Sequence, residues 1–287
     1  MKSLSTLLLA STTLLLSGCI IHINGANAEP TLHQQRTLEL STEQLASLKA
    51  EVTSGFLKIS GVRGQQSVQV QADIYTYDDV SPTLTLKPNG QHALLVAKFD
   101  QSGFYNRSPR IDLTITVPES LMLDIHDGSG DIDINSVNAD ININDGSGSI
   151  TVHQGKQIKI NDGSGSIEVT QTGAVTINDG SGDIHLARIT GKISIKDGSG
   201  DIDIQETQST VGINDGSGGI ELTHIGGDTD INDGSGSIYA EHIDGTVTID
   251  DGSGGIKVRH TKGLKIIDSG SGSLSFKDID GPVSVED

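Results

Sequence analysis

Asp127-Gly128-Ser129-Gly130 is the first of eight identical tetrads. The others begin at Asp145, Asp162, Asp179, Asp197, Asp215, Asp233 and Asp251, and a ninth, Ser269–Gly272, has Ser in the first place. Successive tetrads lie 18, 17, 17, 18, 18, 18, 18 and 18 residues apart. A short fixed period is the mark of a repeat architecture.

With the first tetrad residue as place zero, places −4 and −2 are mostly aliphatic, as in Ile141 and Ile143 or Ile193 and Ile195. Place +5 is always Ile or Leu, and place +7 runs from Ile134 through Leu186 to Phe276. Polar residues fill the places between. This alternation predicts two half-buried strands per repeat. The tetrad is the turn between them, since glycine admits positive φ and Asp bonds its own turn. A second corner follows, often with an aliphatic at +10 and Gly at +12, as in Ile243 and Gly245.

Two strands and two corners make one coil of an all-β solenoid, β-helix or β-roll in kind. One coil buries too little to stand alone, so stacking must complete the core. Equivalent places then lie about 4.8 Å apart on successive coils, and sequence columns become spatial ladders. Residues 119–287 are assigned to this solenoid.

The chain begins with Lys2, an apolar run over Leu7–Leu16, and Leu16-Ser17-Gly18-Cys19. That order is a secretory signal, and the run is short for a membrane span. Cys19 is the only cysteine, so no intrachain disulfide can form. The tetrapeptide resembles the lipobox of bacterial lipoproteins. The resemblance implies a signal peptide over 1–18, cleavage before Cys19, and lipid on that residue. Ile20, rather than Asp, after the cysteine implies the outer membrane of a diderm envelope. Several acyl chains give a stable anchor. Residues 19–36 lack periodicity and read as a tether.

Residues 37–118 are less regular and read as an irregular β cap closing the N-terminal end of the stack. Ser41-Thr42-Glu43-Gln44 suits the cap of a short helical turn. Thr53 to Gly64 is a worn repeat, with Leu57, Ile59, Val62 and Gly64 at the +5, +7, +10 and +12 places. Strand candidates follow at 68–77, 83–87, 92–99 and 111–117, with a hairpin turn at Pro88-Asn89-Gly90.

The worn first repeat, the Val117-Pro118 exit and the successive Gly-Ser-Gly-x-Ile-x-Val units resemble the bacterial "putative adhesin" families of β-strand-repeat proteins. The resemblance covers about residues 37–287. It implies a β-solenoid fold and an adhesin, binding or structural role, and it brings no catalytic residues.

Four constellations are candidates for chemistry. The Asp column (Asp127, Asp145, Asp162, Asp179, Asp197, Asp215, Asp233, Asp251) could hold a calcium ladder, because calcium takes six to eight oxygens. The competing reading is that each Asp bonds backbone N–H groups of its own turn. Place +9 carries Glu206, His224, His242, His260 and Asp278, a register suited to a transition metal or to an exposed polar corner. The loop Gln101–Ser108 holds Phe104, Tyr105 and Arg107, which suit recognition or packing of the cap. Several Asp on one face would also suit a pectinase-like enzyme, but short uniform coils raise no walls around a cleft. No Walker loop, zinc helix or nucleophile elbow occurs in the chain.

The formal net charge of −19 disfavours nucleic acid and anionic lipid as partners. The expectation is therefore a non-catalytic, lipid-anchored envelope solenoid with no cofactor, bound to the membrane by its lipid and to a protein or polysaccharide ligand. A calcium-stiffened envelope spacer is the alternative, and a polysaccharide-active β-helix enzyme comes third.

Overall fold

The structure is a computed structural model that describes residues 30–99 and 107–286, with the backbone of 16–22. Every regular element among the described residues is a β-strand. The solenoid has about nine turns of about 18 residues.

The worn repeat is a true coil. Strands β3 (Ser47–Val52) and β4 (Leu57–Val62) form it. The first tetrad coil, β9 (Met122–His126) and β10 (Ile132–Asn135), stacks on it in parallel. Leu48 faces Leu123, and Leu57 faces Ile132. The same register runs onward column by column, Ile132 to Ile150 and Ile141 to Ile158. In the 17-residue coils the second corner is shorter. There single strands such as Ile150–Asn161 and Ile167–Asn178 run through it from one face to the next.

On the other side of the worn coil lies the cap. Strands β7 (His92–Phe99) and β8 (Arg110–Pro118) pair in parallel with β3 and β4. Antiparallel strands then end the stack. Strand β6 (Pro82–Asn89) forms a hairpin with β7 around Gly90, whose φ is +62°. Strand β5 (Ser67–Thr76) lies antiparallel on β8, and β2 (Leu32–Ser41) on β5.

Three expectations need correction. Strand β2 begins at Leu32, inside the stretch read as a tether. Its polar residues His33 to Arg36 hid it, yet the β5 ladder holds them, with His33 stacked on Tyr75 at 4.4 Å. The backbone of β1 (Leu16–His22) lies antiparallel on β2, so the stretch read as a tether holds strand at its start as well. Ser41 to Gln44 forms a tight turn closed by Leu45 N–H donating to Thr42 C=O at 3.0 Å, with no helix. Val62 is 42% exposed, unlike the buried aliphatics at its place in later coils such as Ile189 and Ile243. It pairs with Pro118 at the mouth of the cap, where the chain leaves the coil.

The core is one continuous aliphatic column running from the cap through every coil to Ile266. At the tetrads the coils meet backbone on backbone. Gly200 N–H donates to Ser217 C=O of the next coil at 3.1 Å. Its φ is +139°, and a Cβ there would stand 2.0 Å from the Gly182 carbonyl oxygen of the coil before. Only glycine meets both conditions.

Candidate functional site

Places −4, −2 and 0 share one parity along the strand. The tetrad Asp therefore continues the inward row begun by two aliphatics. All eight are buried, from 9% exposed at Asp145 to 0% at Asp251. One oxygen holds the turn, as expected: Gly128 and Ser129 N–H groups donate to Asp127 Oδ1 at 2.7 and 3.3 Å. The other oxygen, Oδ2, is buried without a hydrogen-bond partner in each of the eight. Thus the column is not the exposed row of carboxylates that its charge suggests.

Burial, joined by the neighbouring Asp145 carboxylate, pushes Asp127 up to about 7. Burial likewise raises Asp162, Asp197 and Asp233 to about 6, and neighbouring carboxylates add to it. Asp145, Asp179, Asp215 and Asp251 are raised in the same direction by burial, against the pull of their turn N–H groups. One orphan oxygen per coil, flanked in the stack by the aspartates of the adjacent coils, falls well short of the six to eight oxygens that calcium takes.

The +9 place turns the second corner. Its nine residues, Ser136 through Asp278, all have φ between 50° and 72°. This left-handed conformation tolerates His, Asn and Asp best and excludes β-branched residues. A column of identical φ aims its side chains alike. Accordingly His224, His242 and His260 stack ring on ring, with centroids 4.8 Å apart and planes 9° and 4° from parallel. A groove of about 410 Å³ runs beside them, lined also by Asp244, Lys262 and Asp278.

Of the residues expected there, Asp278 joins the stack, its Oδ2 being 3.4 Å from His260 Nε2. Glu206 instead lies toward Arg188 of the preceding coil, at 3.8 Å. Two neighbours were missed. Glu241 Oε1 lies 3.4 Å from His260 Nδ1, and the Tyr239 hydroxyl donates to Glu241 Oε2. Glu241, His242 and His260 each offer a ligand atom within 4.8 Å of the others. The signal was one place away, because Glu241 stands at +8 beside the histidine at +9.

Place −1 forms another ladder, outward on the first face: Asn144, Asn161, Asn178, Lys196, Asn214, Asn232 and Asp250. Asn161 Nδ2 donates to Asn144 Oδ1 at 3.0 Å, and Asn232 Nδ2 to Asp250 Oδ2 at 3.3 Å. In the N-terminal loop, Phe104 and Tyr105 lie outside the described residues. Arg107 grips both oxygens of Asp79 at 2.7 Å and sits over the Tyr77 ring at 5.0 Å.

A family model described as Toastrack DUF4097 matches residues 83–225 and 155–278, which together span more than half of the chain. Among solved structures, the chain is similar to a "putative lipid binding protein" from Parabacteroides distasonis ATCC 8503. The identity is 17% and the TM-score 0.50, over 90% of this chain and 100% of that one. It is also similar to a "putative adhesin" from Bacteroides fragilis NCTC 9343, at 10% identity and TM-score 0.38 over 88% and 97% of the two chains. A third, from Parabacteroides merdae ATCC 43184, shares the "putative adhesin" description at 12% identity and TM-score 0.34 over 93% and 99%. No curated protein matches the chain.

Proposed function

The chain belongs to the Toastrack DUF4097 family, and from that premise we propose that it is a non-catalytic binding module of a bacterial envelope. Lipid on Cys19 holds it to the outer membrane, and the solenoid presents its flat faces to an extended polysaccharide. One observation carries this reading: the outward polar columns continue from coil to coil at a single spacing, as the Asn144–Asn161 and Asn214–Asn232 amide pairs illustrate. Such a surface offers a polar side chain, most often an amide, every 4.8 Å or so, which suits a polymer of repeating hydroxyls better than a compact ligand. The strong negative charge favours neutral or basic polymers.

The test is the purified protein on an array of neutral, basic and acidic polysaccharides. Saturable binding to neutral or basic members supports the reading. Binding to none of them, or capture by a protein alone, removes it.

The anchor is tested separately. Cys19→Ser is expected to move the protein from membrane to soluble fractions, because acylation needs the cysteine. Unchanged membrane association would contradict the lipoprotein assignment.

A further inference from the structure

We propose that Glu241, His242 and His260 form a binding site for one divalent transition-metal ion of the zinc class. The proposal is independent of the polysaccharide reading. It rests on the donor set, its spacing and the groups that orient it.

Two imidazoles and a carboxylate are the donors that zinc-class ions prefer, and the three lie on adjacent coils with ligand atoms within 4.8 Å of one another. Zinc bonds of about 2.0–2.2 Å place tetrahedral ligand atoms roughly 3.4 Å apart. Glu241 Oε1 and His260 Nδ1 stand at 3.4 Å already. His242, stacked on His260 at 4.8 Å, must close in by a small rotation of an exposed side chain.

The surrounding groups match what holds metal ligands elsewhere. The Tyr239 hydroxyl occupies Glu241 Oε2 and leaves Oε1 facing His260. On the far side of the His260 ring, Asp278 Oδ2 lies 3.4 Å from Nε2, so that Nδ1 is left for the ion. A carboxylate behind a ligating histidine fixes its tautomer and raises its basicity. Among nearby cations, Lys262 is taken by Asp280 at 2.9 Å and Lys277 by Asp278 at 3.5 Å. Arg259 faces Glu241 in the ladder. His242 and His260 are exposed and line a surface groove, so both rings are open to an ion from solvent.

The competing reading is a plain polar clamp, with His260 held between Glu241 and Asp278. Titration of untagged protein with Zn²⁺ at pH 7.5, followed by calorimetry and by competition with a chromophoric chelator, separates the two. The proposal predicts one saturable Zn²⁺ site in the micromolar range or tighter, undisturbed by excess Ca²⁺. Cobalt in its place should give the visible absorption of a tetrahedral nitrogen and oxygen site. His242→Gln and His260→Gln should each weaken binding by about tenfold or more, and Tyr239→Phe by about tenfold. Glutamine already stands at this corner at Gln154 and Gln171, so the variants keep the fold, which circular dichroism checks. His126→Gln, outside the site, should bind as the parent does. No saturable site, or one that His242→Gln and His260→Gln leave unchanged, overturns the proposal.

Discussion

Ile202→Asp is expected to break the stack near its middle, at a cost of several kcal/mol for a buried charge without a partner. Ile202 is 1% exposed and sits in register between Ile184 and Ile220 of the flanking coils. The substitution therefore injures two coil interfaces at once. In a linear array each coil leans only on its neighbours, so the damage divides the solenoid into two shorter stacks. Asp203→Lys, one residue on, lies on the outward face, where Asp203 Oδ2 meets His185 Nδ1 at 3.1 Å. It is expected to cost under about 1 kcal/mol. Urea unfolding of both variants decides the matter, and equal losses would mean that the faces are reversed.

The second large effect is a stability that falls as pH rises. An unfolded aspartate titrates near 3.9. In the folded chain Asp127 is raised to about 7, and Asp162, Asp197 and Asp233 to about 6. Between those limits the folded state binds more protons than the unfolded state. The contribution of these groups is thus fully present below about pH 4 and is lost as pH rises through 6 to 7. Solvent near the turns trims the effect below what each shift alone implies.

The melting temperature at pH 5 should exceed that at pH 8 by about 5–10 °C, equivalent to about 2–3 kcal/mol for a domain of this size. The triple variant Asp162→Asn, Asp197→Asn, Asp233→Asn keeps the turn acceptor and removes three buried charges. It should melt higher than the parent at pH 8 and show a flatter pH profile. Millimolar Ca²⁺ should raise the parent's melting temperature no more than ionic-strength-matched NaCl. A parent that melts alike at pH 5 and pH 8, or a variant with the parent's slope, would contradict the burial of charge in this column.

The coil was legible in the sequence because its signals are short-range and repeated. Alternating residues such as Ile193 and Ile195 fix the inward face, and the tetrad fixes the turn. Even the worn coil could be found from Leu57 and Ile59. What escaped depends on long-range pairing or on two rules acting at one residue. Thr37–Leu40 of strand β2 reads as a strand, but its first half, with His33-Gln34-Gln35-Arg36, becomes one only because β5 lies beside it. The tetrad Asp obeys both turn chemistry and strand parity. Turn chemistry alone places it outside, whereas parity places it in the core. The histidine column was visible, but its ring stacking follows from the shared left-handed corner. Glu241 and Tyr239 join it through strand register, which a single column does not display.

The claim that the coils themselves form the binding surface is tested most directly by shortening them. Deleting residues 197–232 removes two whole coils, joins Lys196 to Asp233 in register, and leaves the Glu241, His242 and His260 cluster intact. The shortened protein should fold with the same cooperative melt, and its affinity for the polysaccharide bound by the parent should fall by about tenfold or more, as a repeated contact surface requires. A folded deletion variant that binds as tightly as the parent would contradict the claim and place recognition at a single local site.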